Sequence, residues 1–104
     1  MKIYNKLVRD RIPEIITAQG KVCQCKILTD EEYLSALNAK LDEEVAEYHQ
    51  SGSIEELADI LEVVYAIAAA KGCTAGQLDS VQCEKANNRG SFNKKIMLIS
   101  VKDD

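Results

Sequence analysis

Six acidic side chains in the middle of the sequence are spaced so that helices would gather them into one cluster. They are Glu43, Glu44, Glu47, Glu56, Asp59 and Glu62. At about 100° per residue, the first three lie within an arc of roughly 100° on a helix, and Glu56 and Asp59 are about 60° apart. Crowded carboxylates repel one another, so they occur either in open solvent or around hard divalent cations, which take oxygen ligands. The spacing therefore indicates a cation site, with a solvated acidic face as the alternative.

The charges are segregated along the sequence. Residues 30–62 contain eleven Asp and Glu against one basic residue, Lys40, whereas the remaining residues contain six acids against twelve Lys and Arg. The middle region is thus net −10 and the rest net +6, although the whole chain is only −4. A site with acids for a metal ion and bases for a polyphosphate would have such a division. Because the bases have no interleaved aromatic residues and the chain is acidic, we do not expect it to bind a nucleic-acid polymer.

Two of the acids lie at the start of a strongly apolar segment. A solvated charged face gives no reason to place Asp59 there, and a buried carboxylate without a partner is costly, so Asp59 indicates a bound cation. Glu56 has a second interpretation, because it stands three residues after Ser53 and could complete the capping box of a helix. A cap formed without metal does not exclude a ligand role.

Two bases stand four residues apart near the end of a predicted helix. Lys85 and Arg89 would share one helix face, and Gly90 then gives the backbone freedom to approach a ligand. They could hold phosphate groups, although bases in a last turn also complement the helix dipole, and the spacing alone favours that structural role. A further basic segment, residues 6–11, is more typical of a solvated turn than of a site.

Covalent catalysis is not indicated. His49 is the single histidine, next to a predicted helix end, and is most simply a surface residue. Neither a Ser-His-Asp nor a Cys-His arrangement can be built around it. The remaining chemistry is attack by water assisted by metal ions, which polarise a phosphoryl oxygen and lower the pKa of bound water.

Periodicity and capping signals predict four helices. The first covers residues 9–19, with Asp10 as a possible N-cap and Pro13 in its first turn. The second starts after a capping box at residues 29–32 and runs to about His49, and the third starts after another at residues 53–56 and runs to about Lys71. The fourth opens at residues 74–77 and ends near Asn88.

The segments 21–28 and 95–101 read as two strands that could pair into a small sheet. The predicted fold is therefore an all-α four-helix bundle with a small two-stranded β element, in a single domain over residues 1–104. The third helix is apolar on nearly every side after Glu62, which four helices of one small chain hardly cover. We therefore expect a homodimer or homotetramer.

Neither a membrane-spanning segment nor a signal peptide is evident in the sequence, and this bears on the compartment. The longest apolar run, residues 63–70, is too short to span a bilayer, and the N-terminal residues show no signal-peptide hydrophobic region. We expect a cytoplasmic protein that does not associate with a membrane. The four cysteines have no zinc-site spacing, so unpaired thiols are the expectation. They are Cys23, Cys25, Cys73 and Cys83.

The acidic pattern resembles a known family signature. Residues 43–47, Glu-Glu-Val-Ala-Glu, followed by residues 56–59, Glu-Leu-Ala-Asp, are similar to the EExxE and ExxD motifs of the all-α nucleoside triphosphate pyrophosphohydrolases, the MazG-like superfamily. The opening segment, residues 4–13, and the closing Lys85 with residues 89–92 resemble those of short single-domain members. The resemblance covers nearly the whole chain.

The resemblance implies a site and a reaction. It implies Mg²⁺, or Mn²⁺, held by Glu44, Glu47, Glu56 and Asp59. Glu43 would lie nearby, either supporting these ligands from outside the coordination shell or acting as a catalytic base that orients water. It further implies hydrolysis of a nucleoside triphosphate between the α and β phosphates, giving the monophosphate and pyrophosphate. Only eight residues separate the two motifs. That short interval suggests a reduced nucleoside-recognising loop and a house-cleaning role on non-canonical nucleotides.

Two alternatives remain at this stage. Phosphoribosyl-ATP pyrophosphohydrolase of histidine biosynthesis shares the acidic motif and the reaction type. A catalytically silent helical module for binding or assembly would have the same core and caps, but would need neither Asp59 nor bases opposite the acids. Mg²⁺-dependent stabilisation would separate the silent module from the enzymes.

Overall fold

In residues 1–103, which a computed structural model of the protein describes, the regular structure consists of four α-helices. They are α1 (Ile12–Ala18), α2 (Asp30–Ser51), α3 (Ile54–Ala70) and α4 (Ala75–Arg89). The predicted all-α class is confirmed. The starts of α2, α3 and α4 fall directly after their predicted capping residues.

Helix caps explain why the sequence located these starts so well. Thr29 and Thr74 each form a complete capping box with the residue three positions later. The start of α1 differs from the prediction, because Arg11 rather than Asp10 is its N-cap and no side chain caps it. Pro13 lies in the first turn of α1, where its missing N–H leaves no hydrogen bond unmade.

The two predicted strands are wrong. Neither the segment 21–28 nor the segment 95–101 forms a strand in the described chain. Their apolar side chains are exposed rather than paired, as Val22 and Ile27 show at 100% and 98% exposure. Lys95 takes a φ of 60°, which interrupts the extended backbone that a strand requires. The alternating apolar residues therefore belong to segments that pair with no other strand within residues 1–103.

Helices α2 and α3 form the structural centre. Gly52 ends α2 with a φ of 65°, a conformation that favours glycine, and only two residues connect the helices, so α3 packs back along α2. Leu37 and Val63 from the two helices are buried in the core. Helix α4 packs more lightly on α3, while α1 packs against no other helix of residues 1–103.

The chain taken alone is elongated and open. Its Cα radius of gyration is 18.5 Å, whereas a compact domain of this length has about 13 Å. Its accessible surface is 9436 Å², against about 5,800 Å² for a compact monomer of this mass. Within residues 1–103, no helix combines the length and the apolar character needed to cross a membrane.

Candidate metal centre

Two groups of carboxylates that share Glu44 form one continuous cluster where α2 meets α3. Oxygens of Glu43, Glu44 and Glu47 lie within 4.8 Å of one another, and so do oxygens of Glu44, Glu56 and Asp59. These five residues are called the carboxylate cluster below. Three of the four predicted metal ligands thus come together in one group, and the fourth, Glu47, lies beside Glu44 in the other.

Glu44 is the buried member of the carboxylate cluster. The residue is only 7% exposed, and its Oε2 atom is buried without a hydrogen-bond partner. Burial raises the pKa of the Glu44 carboxyl above its ordinary value, and the neighbouring Glu47 carboxylate raises it further, while Lys40 acts in the opposite direction. A buried acceptor without a donor is costly, so this oxygen is the strongest indication that the cluster takes a ligand.

Glu56 is free to join the cluster because the capping box predicted for α3 is only half formed. The Ser53 hydroxyl accepts a hydrogen bond from the Glu56 backbone N–H at 3.3 Å, as predicted. The return bond is not made by Glu56, since the Ser53 backbone N–H donates instead to the Ser51 hydroxyl at 3.2 Å. Ser51 thereby replaces the Glu56 carboxylate as the acceptor at this helix start.

Asp59 differs from the environment expected for it. The sequence predicted a buried carboxylate without a protein partner, but the side chain is half-buried and the Arg9 guanidinium donates to its Oδ1 at 2.7 Å. Arg9 also lies 3.7 Å from Glu62, which belongs to neither carboxylate group. The buried oxygen that lacks a partner is on Glu44, and Asp59 is already paired with a cation of the protein.

Two lysines contact the other side of the carboxylate cluster. Lys40, largely buried, has its Nζ 3.4 Å from carboxylate oxygens of both Glu43 and Glu44. Lys6 approaches the same Glu43 oxygen at 3.5 Å. These contacts offset part of the repulsion among the acids, but they reach only one oxygen of Glu44 and leave the other without a partner.

The N-terminal bases were not recognised as part of a site from the sequence. Lys6 and Arg9 lie in the segment interpreted as a solvated turn, yet both contact acids of α2 or α3. No spacing rule could place them there, since 50 residues separate Arg9 from Asp59. The one available signal was the opposite net charge of the N-terminal segment and residues 30–62.

Lys85 and Arg89 are not brought to the carboxylate cluster of the same chain. Both are exposed on α4, and within residues 1–103 neither lies within ion-pairing distance of an acid. Arg89 is in the last turn of its helix, as the helix-dipole interpretation requires. A phosphate-binding role for this pair stays a prediction.

The donor set of the cluster suits Mg²⁺ or Mn²⁺. All its candidate ligands are carboxylate oxygens, which these hard cations prefer. Glu44, Glu56 and Asp59 come from two helices held together by the core, so their spacing does not depend on a mobile loop.

Comparison with known proteins gives one partial match. The chain is 62% identical over 42 residues to an uncharacterized protein of Mycolicibacterium smegmatis. The matched region is 40% of this chain and 43% of that protein, so less than half of the relative is covered. No family model matches the chain, and no solved structure does.

Proposed function

We propose that this chain is a Mg²⁺-dependent nucleoside triphosphate pyrophosphohydrolase of the MazG-like type. The observation that carries the proposal is the buried Glu44 oxygen without a hydrogen-bond partner, at the point shared by two groups of carboxylates. The EExxE and ExxD motifs supply the reaction, cleavage between the α and β phosphates to give the monophosphate and pyrophosphate. A house-cleaning role on non-canonical nucleotides follows from the short interval between those motifs.

Each residue has a role that its position supports. Glu44, Glu56 and Asp59 would hold the ion, and Glu47 would complete the ligand set from α2. Glu43 lies next to Glu44 and Glu47 and accepts the proton of the attacking water. The bound ion supplies charge neutralisation at the phosphates and acidifies water at neutral pH. Lys40 limits repulsion among the acids from beneath the cluster.

The active form is a homodimer or homotetramer under this proposal. The accessible surface of 9436 Å² exceeds that of a compact monomer by roughly 3,600 Å² per chain, which is more than the surface that one partner contributes to a typical obligate subunit interface. Leu57 and Leu61 on α3 are about half exposed, next to the carboxylate cluster in sequence. A second copy that covers this face of α3 would place the site close to a subunit contact.

Metal-dependent stabilisation and turnover in matched variants test the function. Millimolar Mg²⁺ should raise the melting temperature of the wild type, because an ion that binds only the folded state stabilises it. Asp59→Asn and Glu44→Gln should lose both that shift and the hydrolysis of nucleoside triphosphates. Glu31→Gln, an exposed change in the first turn of α2 outside the carboxylate cluster, should retain both.

The same experiment separates the alternatives. A silent helical module should show neither stabilisation by Mg²⁺ nor turnover, because it would bind no ion at the carboxylate cluster. A wild-type melt that Mg²⁺ leaves unchanged would therefore favour that module. Turnover restricted to phosphoribosyl-ATP among the nucleotides offered would replace the house-cleaning role by a biosynthetic one.

A further inference from the structure

Arg9 makes the shortest contact between a base and the carboxylate cluster, but it has no role in the proposed reaction. Its Nη2 atom lies 2.7 Å from Oδ1 of Asp59, and its Nη1 atom lies 3.7 Å from Oε1 of Glu62. Asp59 shares a group with Glu44, the residue whose buried oxygen has no partner. Glu62 belongs to neither carboxylate group. Arg9 therefore bridges one proposed ligand and one acid outside the site.

We propose that Arg9 is a substrate-binding residue, which pairs with Asp59 in the metal-free chain and binds the phosphates of the nucleotide once a metal ion occupies Asp59. The inference rests on the proposed metal-dependent function. A divalent ion and a guanidinium compete for the same carboxylate oxygen and repel each other, so binding of the ion weakens the contact between Arg9 and Asp59. Glu62 stays available to Arg9 and keeps its side chain at the edge of the cluster.

The Arg9 side chain is suited to bind a phosphate chain. It is 56% exposed, so a ligand can reach it from solvent. A guanidinium can donate two parallel hydrogen bonds to a phosphate group, which a lysine cannot do. A polyphosphate on the metal ion would thus meet a planar donor at the open side of the site.

The other bases are less well placed for this role. Lys40 is largely buried and already contacts Glu43 and Glu44. Among the acids of residues 1–103, Lys6 contacts only Glu43, and Lys85 and Arg89 contact none. Arg9 is the base that touches a carboxylate of the group containing Asp59 while most of its side chain remains exposed.

The test measures two affinities that the proposal moves in opposite directions. Titration calorimetry of the full chain with Mn²⁺ alone should show that Arg9→Ala binds the ion about fivefold more tightly than wild type, because a competing cation is gone. Calorimetry of the Mg²⁺-loaded chain with inorganic tripolyphosphate should show binding weaker by about ten- to a hundredfold. A purely structural ion pair would not separate the two affinities in this way.

Arg11→Ala is the matched control. It removes the same charge two residues away, but within residues 1–103 Arg11 pairs only with Glu14 of the helix that follows it. Both affinities should therefore stay within about twofold of wild type. Arg9→Lys should restore the wild-type Mn²⁺ affinity but not the tripolyphosphate affinity, since it keeps the charge and loses the paired donors.

Two results would overturn the inference on its own. One is an Arg9→Ala chain whose Mn²⁺ affinity is unchanged or weaker, and the other is unchanged tripolyphosphate binding, in either case while the wild type binds Mn²⁺ and hydrolyses nucleotides. A wild type that binds no Mn²⁺ would overturn the proposed function and this inference together. The two failures are thereby distinguishable.

Discussion

The energetic cost of the site is concentrated on the carboxylate of Glu44. It is buried, one of its oxygens has no donor, and it lies among four other acids. Ionisation at that position is unfavourable without a metal ion, because desolvation and the neighbouring Glu47 carboxylate outweigh the contact with Lys40. Function and stability of the metal-free chain are therefore opposed at this residue, as is common in binding sites.

Glu44→Gln should stabilise the metal-free protein at neutral pH. Because burial raises the pKa of Glu44 above the ordinary value of 4.5, the folded chain binds this proton more tightly than the unfolded chain. The stability contribution therefore falls as pH rises from 4.5 through the raised folded pKa, and it is lowest above that value. Thermal melts in a chelator across a pH series should give the variant a melting temperature a few degrees above wild type at pH 7.

The same series provides the control for that prediction. The higher melting temperature of the variant should approach that of wild type as pH falls towards 4.5, because the wild-type carboxyl becomes protonated and is then uncharged like the glutamine amide. Glu31→Gln, exposed on the same helix, should not reproduce the pattern. Equal stability of wild type and Glu44→Gln at every pH would show that the buried carboxyl is not under electrostatic strain.

Arg89→Ala tests the phosphate-binding role predicted for the end of α4. We expect it to lower kcat/KM by one to two orders of magnitude, the loss of a charge-assisted hydrogen bond of about 1.5–3 kcal/mol. Stabilisation by Mg²⁺ should be unchanged, because Arg89 contacts no cluster acid within residues 1–103. Kinetics within twofold of wild type for both Arg89→Ala and Lys85→Ala would leave only the helix-dipole role.

The acids of α2 and α3 that come together could be predicted from their spacing, but the bases that contact them could not. Helical period places Glu43, Glu44 and Glu47 on one face, and the structure finds their oxygens together. The contact of Arg9 with Asp59 depends on how an irregular N-terminal segment crosses α3, which no periodic pattern encodes. Burial was predicted for Asp59 because α3 is strongly apolar, but that residue is only half-buried, since much of the apolar surface of α3 is exposed in the single chain.

At the scale of elements, the two-residue turn between α2 and α3 sets the relative position of the two acidic motifs. Gly52 reverses the chain, and Ser53 caps α3. The hydroxyl of Ser51 accepts the Ser53 backbone N–H, so the Glu56 carboxylate is not needed as a cap. One serine at the end of α2 thus keeps a metal ligand available.

Ser51→Ala should weaken metal binding without unfolding α3. The freed Ser53 N–H would then recruit the Glu56 carboxylate to complete the capping box, and binding an ion would require that hydrogen bond to break. We expect Mn²⁺ affinity, measured by calorimetry, to fall about fivefold, the equivalent of one hydrogen bond of about 1 kcal/mol. Circular dichroism should report the same helix content as wild type.

Ser80→Ala is the matched control for this turn. It removes a serine hydroxyl that hydrogen-bonds within α4, at Gly76, away from the carboxylate cluster. Its Mn²⁺ affinity should equal that of wild type. An unchanged affinity in Ser51→Ala would mean that the Glu56 carboxylate does not depend on Ser51 for its position.

Helix starts were predictable because each is a local event, whereas the strands were not. The boxes at Thr29 and Thr74 need only four consecutive residues, so the sequence contains all the required information. A strand needs a partner, and the segments 21–28 and 95–101 find none within the described chain. Alternation shows that such segments have an apolar side, but it does not show what covers that side.

For the whole molecule, the hydrophobic core of a single chain is too small to stabilise the fold. Leu37, Val63 and Ala68 are its buried apolar residues within positions 1–103, and the exposed apolar side chains extend from the N-terminal segment to the tail. Three such residues supply only a small part of the free energy that folding of a domain this size requires. Association of copies is the simplest source of the missing burial.

Replacing Leu57 and Leu61 together by Asp should shift the protein towards monomer. The change places two charges on the half-exposed face of α3 that the proposed interface would bury. Light scattering at micromolar concentration should give at least twice the 11.5 kDa chain mass for wild type and less for the double variant. Val22→Asp, at an exposed apolar position outside the helices, is the control.

Monomeric wild type at that concentration would contradict the proposed assembly. Retention of the wild-type mass by the double variant would instead locate the interface elsewhere on the chain. In either case the metal-binding experiments remain interpretable, because the carboxylate cluster lies within one chain.

Identification of the first products is the decisive test of the proposed pyrophosphohydrolase activity. Wild type, Asp59→Asn and Glu31→Gln should each be incubated with Mg²⁺ and a panel of canonical and modified nucleoside triphosphates, and the products read by mass spectrometry. We expect nucleoside monophosphate and pyrophosphate in equal amounts from wild type and Glu31→Gln, with no product above background from Asp59→Asn. Release of orthophosphate with the diphosphate as first products, or no Mg²⁺-dependent turnover of any nucleotide, would contradict the proposed activity.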